Sequence, residues 1–360
     1  MPRTMRAAVC RTFGEPLTIE NVTLRDPGQG EIEVRIEAVA VCHSDISLAE
    51  GGWGGDLPAV YGHEAAGRIS AIGEGVDGYA VGDPVLVTLL RSCGTCPSCQ
   101  TAHPATCENP PSISGLLRDS DGNELAQGLQ CGAFAEYAVV QPSQLAALPN
   151  DISMEAACLL ACGVPTGVGA VTNTGGVRAG EKVVVIGAGG VGLNAIQGAR
   201  IAGASRIIAV DMVAEKLDAA REFGATDGIL ATDEKPYSAA RRITGRGADA
   251  VFVTVGAAAA YTTANRYLAP GGRLVMVGMP HGDDRASYAP VAYAMAGQDM
   301  RGSMMGDTVL ARDIPWMLDL YSQGRLKLDE LISGRFGLDE INEAIANTKS
   351  GQARRNVIIL

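Results

Sequence analysis

Apolar and polar positions change rhythm twice along the chain. Over residues 1–150 the apolar runs are short and are separated by glycine, proline and aspartate. EIEVRIEAVAV (31–41) begins with near-strict alternation, which predicts a strand, and GRISAIG and PVLVTLL read as further strands. From about Glu181 a second grammar takes over. KVVVIG is a continuous apolar strand of the kind buried on both faces, followed by a glycine loop and the helical stretch VGLNAIQGARIAG. RIIAVD predicts the next strand, AEKLDAAREFGA a helix ending at Gly224, and DAVFVTVG and GRLVMVG two more strands with helical sequence around them. Strands alternating with helices predict a doubly wound parallel sheet, so the fold class is α/β. Beyond about residue 305 the pattern is helical again (LARDIPWMLDLYSQG, LDEINEAIANT) and closes on a strand, RNVIIL.

A length of 360 residues corresponds to two domains at roughly 150 residues each, enough to bury two cores without disulfides. Aromatic residues make up only 4%, so those cores are built from Ala, Val, Ile and Leu. The formal charge of −11 repels nucleic acid and suits anionic membranes poorly, so neither is expected as a partner. The opening MPRTMRAAVCRTFGEP has no apolar core of a secretory signal, and ACLLACGVPTGVGAV is too short and too broken to span a bilayer. A cytoplasmic, reducing location is expected. There, nine cysteines point to metal binding more than to disulfides, and the odd number argues against a complete disulfide set.

After KVVVI comes Gly187-Ala-Gly189-Gly190-Val191-Gly192, opening a helix. The first glycine permits a tight turn, the second lets a pyrophosphate approach the backbone, and the third allows close helix–strand packing. Asp211 ends the next strand, where an acidic residue bonds an adenosine ribose and repels a 2′-phosphate; this favours NAD over NADP. The plain alternative is a strand–helix turn with a surface aspartate.

Cys93, Cys96, Cys99 and Cys107 fall within 15 residues of one loop, RSCGTCPSCQTAHPATC, and can close around one tetrahedral zinc with no open position. Free or redox-active thiols are the alternative, and His103 within the loop reads as a surface histidine. VCHSD (Cys42, His43, Ser44, Asp45), YGHEAAG (His63, Glu64) and LLACGVPTG (Cys162) together offer a Cys₂His set of the kind that holds catalytic zinc with a fourth position open. Spacing leaves open whether these three meet.

VCHSD, GHEAAG, CGTCPSC…C, ACGVPTG and GAGGVG occur together, in order, over essentially the whole length. In this the chain resembles the zinc-dependent medium-chain alcohol dehydrogenases. The resemblance implies a GroES-like, β-rich catalytic domain (1–163 and 306–360) interrupted by a Rossmann NAD-binding domain (164–305). It implies that Cys42, His63 and Cys162 hold a catalytic zinc, with Asp45 and Glu64 as carboxylates behind the ligands and Asp45 bonding the histidine ligand. Ser44 matches the hydroxyl that takes the substrate proton. His43 and Arg355 match basic residues near the cofactor phosphates, Thr166 a residue beside the nicotinamide, and Lys216 one near the adenosine ribose. Leu89 and Trp53 fall at pocket-wall positions, with ordinary packing as the alternative.

The implied reaction is reversible oxidation of an alcohol to an aldehyde or ketone, with one catalytic and one structural zinc per chain and NAD as cofactor. One departure stands out: where mammalian class I relatives end their proton relay with a histidine, this chain has Ser47. Either the last proton passes directly to water, or Ser47 is a surface residue without a role. Thiol-dependent formaldehyde dehydrogenase and polyol dehydrogenase are alternatives within the superfamily, and a non-catalytic NAD-binding sensor or structural protein is one outside it. The polar stretch LLRDSDGNELAQG reads as an insertion and points to a homodimer, with a tetramer as the alternative.

Overall fold

The structure, a computed structural model, describes residues 2–360. Its N-terminal strands are β1 (Arg3–Cys10), β2 (Thr18–Leu24), β3 (Ile32–Ala40), β4 (Ala59–Val60), β5 (Glu64–Ile72), β6 (Pro84–Thr88), β7 (Leu117–Arg118), β8 (Glu124–Gln127), β9 (Tyr137–Val140) and β10 (Leu145–Ala147). Helices α1 (His43–Ala49), α2 (Pro97–Gln100) and α3 (Met154–Cys158) interrupt or follow them. The polar stretch expected as an insertion is the β7–β8 hairpin. It closes a small barrel in the order β1-β2-β7-β8-β4, because β7 pairs with β2 and β8 with β4. The alternating 31–41 segment becomes β3, flanked by β5 and β9.

The glycine-rich middle of the chain forms the second unit. It begins with α4 (Gly163–Gly169) and continues β11 (Lys182–Ile186), α5 (Gly190–Ile201), β12 (Arg206–Asp211), α6 (Ala214–Phe223), β13 (Asp227–Leu230), α7 (Pro236–Thr244), β14 (Ala248–Val253), α8 (Ala258–Ala264), β15 (Leu268–Met276), α9 (Pro290–Ala296) and β16 (Asp299–Gly302). The sheet is parallel in the order β13-β12-β11-β14-β15-β16. Val183, Val184 and Val185 at its centre are fully buried, which explains the unbroken apolar run of β11. The chain then returns through α10 (Leu310–Ser322), β17 (Ile332–Gly337), α11 (Ile341–Lys349) and β18 (Arg355–Ile359). β18 is inserted between β3 and β17, completing the sheet order β10-β6-β5-β3-β18-β17.

One compact unit therefore contains the chain up to Cys162 together with Val309–Asp319 and Leu328–Leu360, and the other contains Gly163–Thr308 and Leu320–Lys327. The return from 306, expected as one continuous piece, is itself interrupted. Residues 320–327 belong with the parallel-sheet unit because Gln197 Oε1 accepts the Lys327 N–H (2.8 Å) and the Arg200 guanidinium reaches the Arg325 carbonyl.

A polar clamp holds the parallel sheet at the start of β11. Arg273 on β15 grips Glu181 with two nitrogens (2.5 and 3.2 Å) and also bonds the carbonyls of Gly175 and Asp249. Burial raises the Glu181 pKa, but the Arg273 bond, the Arg178 N–H and the Arg273 charge together outweigh it and hold the carboxyl below its ordinary value. The stability this contributes is present above the unfolded carboxylate pKa and is lost as pH falls through the depressed folded value. Arg273→Gln is expected to cost this unit about 2 kcal/mol at neutral pH, measured by urea unfolding. The difference from wild type should shrink below about pH 4.

Candidate functional site

Strand ends bring the predicted chemistry together in the first unit. Cys42 follows β3, while His63 and Glu64 stand at the start of β5, paired through Ala40 and Glu64. Gly62 makes the approach possible: its φ is +93°, and a Cβ there would lie 2.5 Å from the Phe134 nitrogen. Cys162 arrives on a different kind of support. Ser153 caps α3 by accepting the Ala156 N–H (3.2 Å), and the following turn, Leu159–Ala161, is wholly buried up to the cysteine.

The ligand atoms of Cys42, His63, Glu64 and Cys162 all lie within 4.8 Å of one another, and all four residues are buried. Asp45 Oδ1 sits 2.8 Å from His63 Nδ1 and accepts the Gly62 N–H at 2.9 Å, while Oδ2 accepts the Cys42 N–H at 3.3 Å. That carboxylate fixes the imidazole so that Nε2 faces the two sulfurs. His63 Nε2 and Glu64 Oε2 are both buried without a protein partner, although buried polar atoms are nearly always bonded. Two sulfurs, an imidazole nitrogen and an unsatisfied carboxylate oxygen form a donor set that fits zinc.

The electrostatics agree. The Cys42 thiol is held well below its ordinary value by its hydrogen bond to Cys162 and the charges of His63 and Arg355, while Cys162 is pushed up by that same bond and by burial. Burial pushes Glu64 up to about 8. A cation seated among these groups would displace their protons.

Arg355, expected on the cofactor phosphates, opens β18 and is buried, with Nη1 3.2 Å from Glu64 Oε1. Its guanidinium is thus turned towards the thiol cluster. Glu64, expected behind the ligands, has its carboxylate among them. Ser44 and Ser47 are half-buried on α1, and His43 is exposed at the helix start. Leu89 packs on the core of this unit and Trp53 is half-buried in a glycine-rich turn.

Cys93, Cys96, Cys99 and Cys107 form the second cluster, again with ligand atoms within 4.8 Å of one another. Pro97 starts α2 and Pro104 a following turn, bending the loop back on itself. The Cys96 N–H donates to Cys93 Sγ and the Cys93 N–H to Cys107 Sγ, both at 3.3 Å. The Thr95 hydroxyl, aided by backbone N–H groups, holds Cys93 down to about 6. Four sulfurs facing one point fit a closed tetrahedral zinc. His103 is exposed and is not part of the cluster. Cys10, Cys131 and Cys158 are buried, as small apolar residues are.

The second unit carries the dinucleotide features. At Gly192 a Cβ would lie 1.9 Å from the Gly187 carbonyl oxygen, so only glycine lets α5 pack this tightly on the loop. At Gly189 a Cβ would meet nothing within 4 Å, which leaves the space over the loop open to a phosphate group. Gly190 and Val191 form the first turn of α5. Asp211 Oδ2 accepts the Ala188 N–H at 2.8 Å and Oδ1 the Val213 N–H at 3.1 Å, so the acid braces the loop directly. Lys216 is half-buried on α6. Thr166 lies on α4 beside Gly167, where a Cβ would lie 2.4 Å from the Val191 carbonyl oxygen. The open loop, the helix start and the acid after β12 fit a dinucleotide.

Sequence reasoning missed Thr88 and Gln144, both fully buried around the metal cluster. The signal for Thr88 was a polar residue closing an apolar strand; Gln144 ends the turn before β10 and carried none.

Comparison with known proteins agrees with this chemistry. The family described as "Alcohol dehydrogenase GroES-like domain" matches residues 28–150, and that described as "Zinc-binding dehydrogenase" matches residues 190–323. The NDMA-dependent alcohol dehydrogenase of Amycolatopsis methanolica is 34% identical over 364 residues, covering 98% of each chain. Among solved structures, the alcohol dehydrogenase zinc-binding domain protein of Burkholderia ambifaria superposes with a TM-score of 0.96 at 35% identity over 100% of both chains. Benzyl alcohol dehydrogenase of Acinetobacter calcoaceticus gives 0.94 at 31% over 99% of both. With this fold, two zinc-fitting clusters and relatives matching end to end, the chain belongs to the zinc-dependent medium-chain alcohol dehydrogenases, enzymes that oxidise alcohols with zinc and a nicotinamide dinucleotide.

Proposed function

We propose that Cys42, His63 and Cys162 hold the catalytic zinc of an NAD-dependent alcohol dehydrogenase, and that Cys93, Cys96, Cys99 and Cys107 hold a structural one. The carrying observation is the buried, unpartnered Nε2 of His63 beside two thiols. When bound, zinc polarises the substrate oxygen as a Lewis acid and NAD accepts the electron pair of the oxidation. Asp45 keeps the Nδ1 proton on the imidazole and so leaves Nε2 as the ligand atom. Ser44, two residues from Cys42, takes the alcohol proton. Ser47 has no basic nitrogen, so water is the next acceptor. Arg355 offsets the charge of Glu64 beside the ligands. His43 serves the cofactor pyrophosphate, Thr166 the nicotinamide, and Asp211 with Lys216 the adenosine ribose.

Kinetics over short, branched and aromatic alcohols, with NAD and NADP and with and without an added thiol, test the reading. Turnover of simple alcohols with NAD alone supports it. A strict thiol requirement moves the chain to the formaldehyde dehydrogenase alternative, and no turnover of any alcohol overturns it. Asp211→Asn is expected to lower the preference for NAD over NADP about tenfold or more, the worth of one charge-assisted hydrogen bond. The ratio of kcat/KM values measures it.

The chain also reads as a homodimer. The insertion argument for this falls away, since LLRDSDGNELAQG lies within the barrel. What supports a dimer is β16, which among the described residues pairs only with β15, together with the exposed apolar Tyr288, Val291 and Met295 of the preceding segment. Light scattering distinguishes dimer from tetramer. No single helix among the described residues is long and apolar enough to cross a membrane. Six of the nine cysteines are gathered in the two metal-fitting clusters and none of the nine is in a disulfide, which supports a reducing, cytoplasmic location.

A further inference from the structure

We propose that Thr88 is a positioning residue for the catalytic metal site, fixing the arm that delivers Cys162; this rests on the reading that Cys42, His63 and Cys162 share one zinc. The three ligands are not held alike. Cys42 and His63 flank β3 and β5, and the antiparallel pairing of those strands sets their separation. Cys162 ends a short helical arm, residues 154–161, that belongs to no strand and is the point where the chain leaves the first unit. Ala156, Ala157, Leu159, Leu160 and Ala161 bury the arm, and Arg335 holds its first turn through Glu155, but that ion pair is exposed and sits at the far end from Cys162, and apolar contact is non-directional.

Thr88 supplies the direction. It closes β6, is fully buried, and is the register partner of Glu64 on β5. Its hydroxyl donates to the carbonyl of Ala161, the residue immediately before Cys162. The peptide unit is planar, so fixing that oxygen fixes the amide plane of Cys162 and the root of its side chain. Thr88 is anchored in turn. Fully buried Gln144 donates from Nε2 to the carbonyls of Thr88 and Gln130, each at 3.0 Å, and its Oε1 accepts the Gln141 N–H at 3.0 Å. A continuous set of bonds runs from Gln144 through Thr88 to the peptide that carries the ligand. Val85 and Val87 show that valine fits β6, so packing alone does not require a hydroxyl at 88. A buried hydroxyl is costly unless it is bonded, which makes its bond the reason to have it there.

The test compares Thr88→Val and Thr88→Ser with wild type in the full-length, zinc-loaded chain. Zinc transfer to a chromogenic chelator is followed for both ions, and the visible spectrum is recorded after cobalt(II) replaces the catalytic ion. Thr88→Val should release one ion about tenfold faster, in the range seen when a supporting hydrogen bond to a ligand is removed. The other ion should keep its wild-type rate. The thiolate-to-cobalt bands should shift in Thr88→Val, and Thr88→Ser should restore both readouts. Wild-type release with an unshifted spectrum overturns the proposal. So does equal acceleration of both ions, which would mark a general loss of stability. If the valine variant does not accumulate, Thr88→Ala is judged by the same ratio of rates. Cys162→Ala separates the two levels of argument. Retention of both ions there would remove the metal assignment itself, whereas loss of one ion with Thr88→Val silent would remove only the role of Thr88.

Discussion

Cys162→Ala is expected to bind one zinc per chain where the wild type binds two, and to turn alcohol over about a thousandfold more slowly or worse. The first number follows from the two separate ligand clusters, only one of which contains Cys162. The second follows from the chemistry: Lewis-acid stabilisation supplies several kcal/mol at the transition state, and each 1.4 kcal/mol is about tenfold in rate. Cys42, His63 and Glu64 remain in the variant, with His63 still oriented by Asp45, but one of the two thiolates is gone and Glu64 is already paired with Arg355, which makes a poor zinc site. The glycine loop and Asp211 are untouched, so NADH binding followed by fluorescence should stay within a few-fold of wild type. Metal analysis and kcat on the same preparation decide the matter. Full activity in this variant would sink the catalytic assignment.

Cys107→Ala should show the reverse separation. It too is expected to leave one zinc per chain, but its principal effect is on stability. Of the residues from Arg91 to Pro110, only Cys96 is buried, so this loop has no apolar core to offset the entropy of ordering it. Thiolate–zinc bonds must provide that free energy; closed sites of this kind contribute on the order of 10 kcal/mol in small zinc domains. Part of that would be lost here, lowering the thermal midpoint by about 10 °C and opening the loop to proteolysis. Turnover per remaining catalytic ion, assayed well below the new midpoint, should change far less than in Cys162→Ala. A variant that still binds two ions and melts with wild type would show that the cluster is not a metal site.

What the chain discloses before folding depends on how local each feature is. The run KVVVI and the loop after it occupy eleven consecutive residues, and the four cysteines fifteen; both were legible because strand, turn and ligand spacing are set by near neighbours. β7 and β8 were not. Their residues, LR and ELAQ, carry no periodicity, and they become strands only because β2 and β4, distant in sequence, offer edges to pair with. DMRG, the edge strand β16, is similarly silent. In the metal site, Asp45 and His63 were recognisable from short motifs. The pairing of Glu64 with Arg355 spans 291 residues and turns an expected phosphate ligand inwards. Thr88 escaped notice because nothing near it in sequence says that its hydroxyl will meet the Ala161 carbonyl.

The place of β18 has a consequence for how the chain is made. It lies inside its sheet, between β3 and β17, and it begins with the arginine that answers Glu64. The parallel-sheet unit has all its residues once Lys327 has been added. The unit around it must wait for residues 355–359, so on the ribosome the inserted piece is complete while its host still lacks an inner strand. A nonsense codon or a protease cut just before Arg355 therefore removes no dispensable tail. It leaves β3 short of a partner at Ala38–Ala40, two residues from Cys42, the first cysteine of the buried cluster.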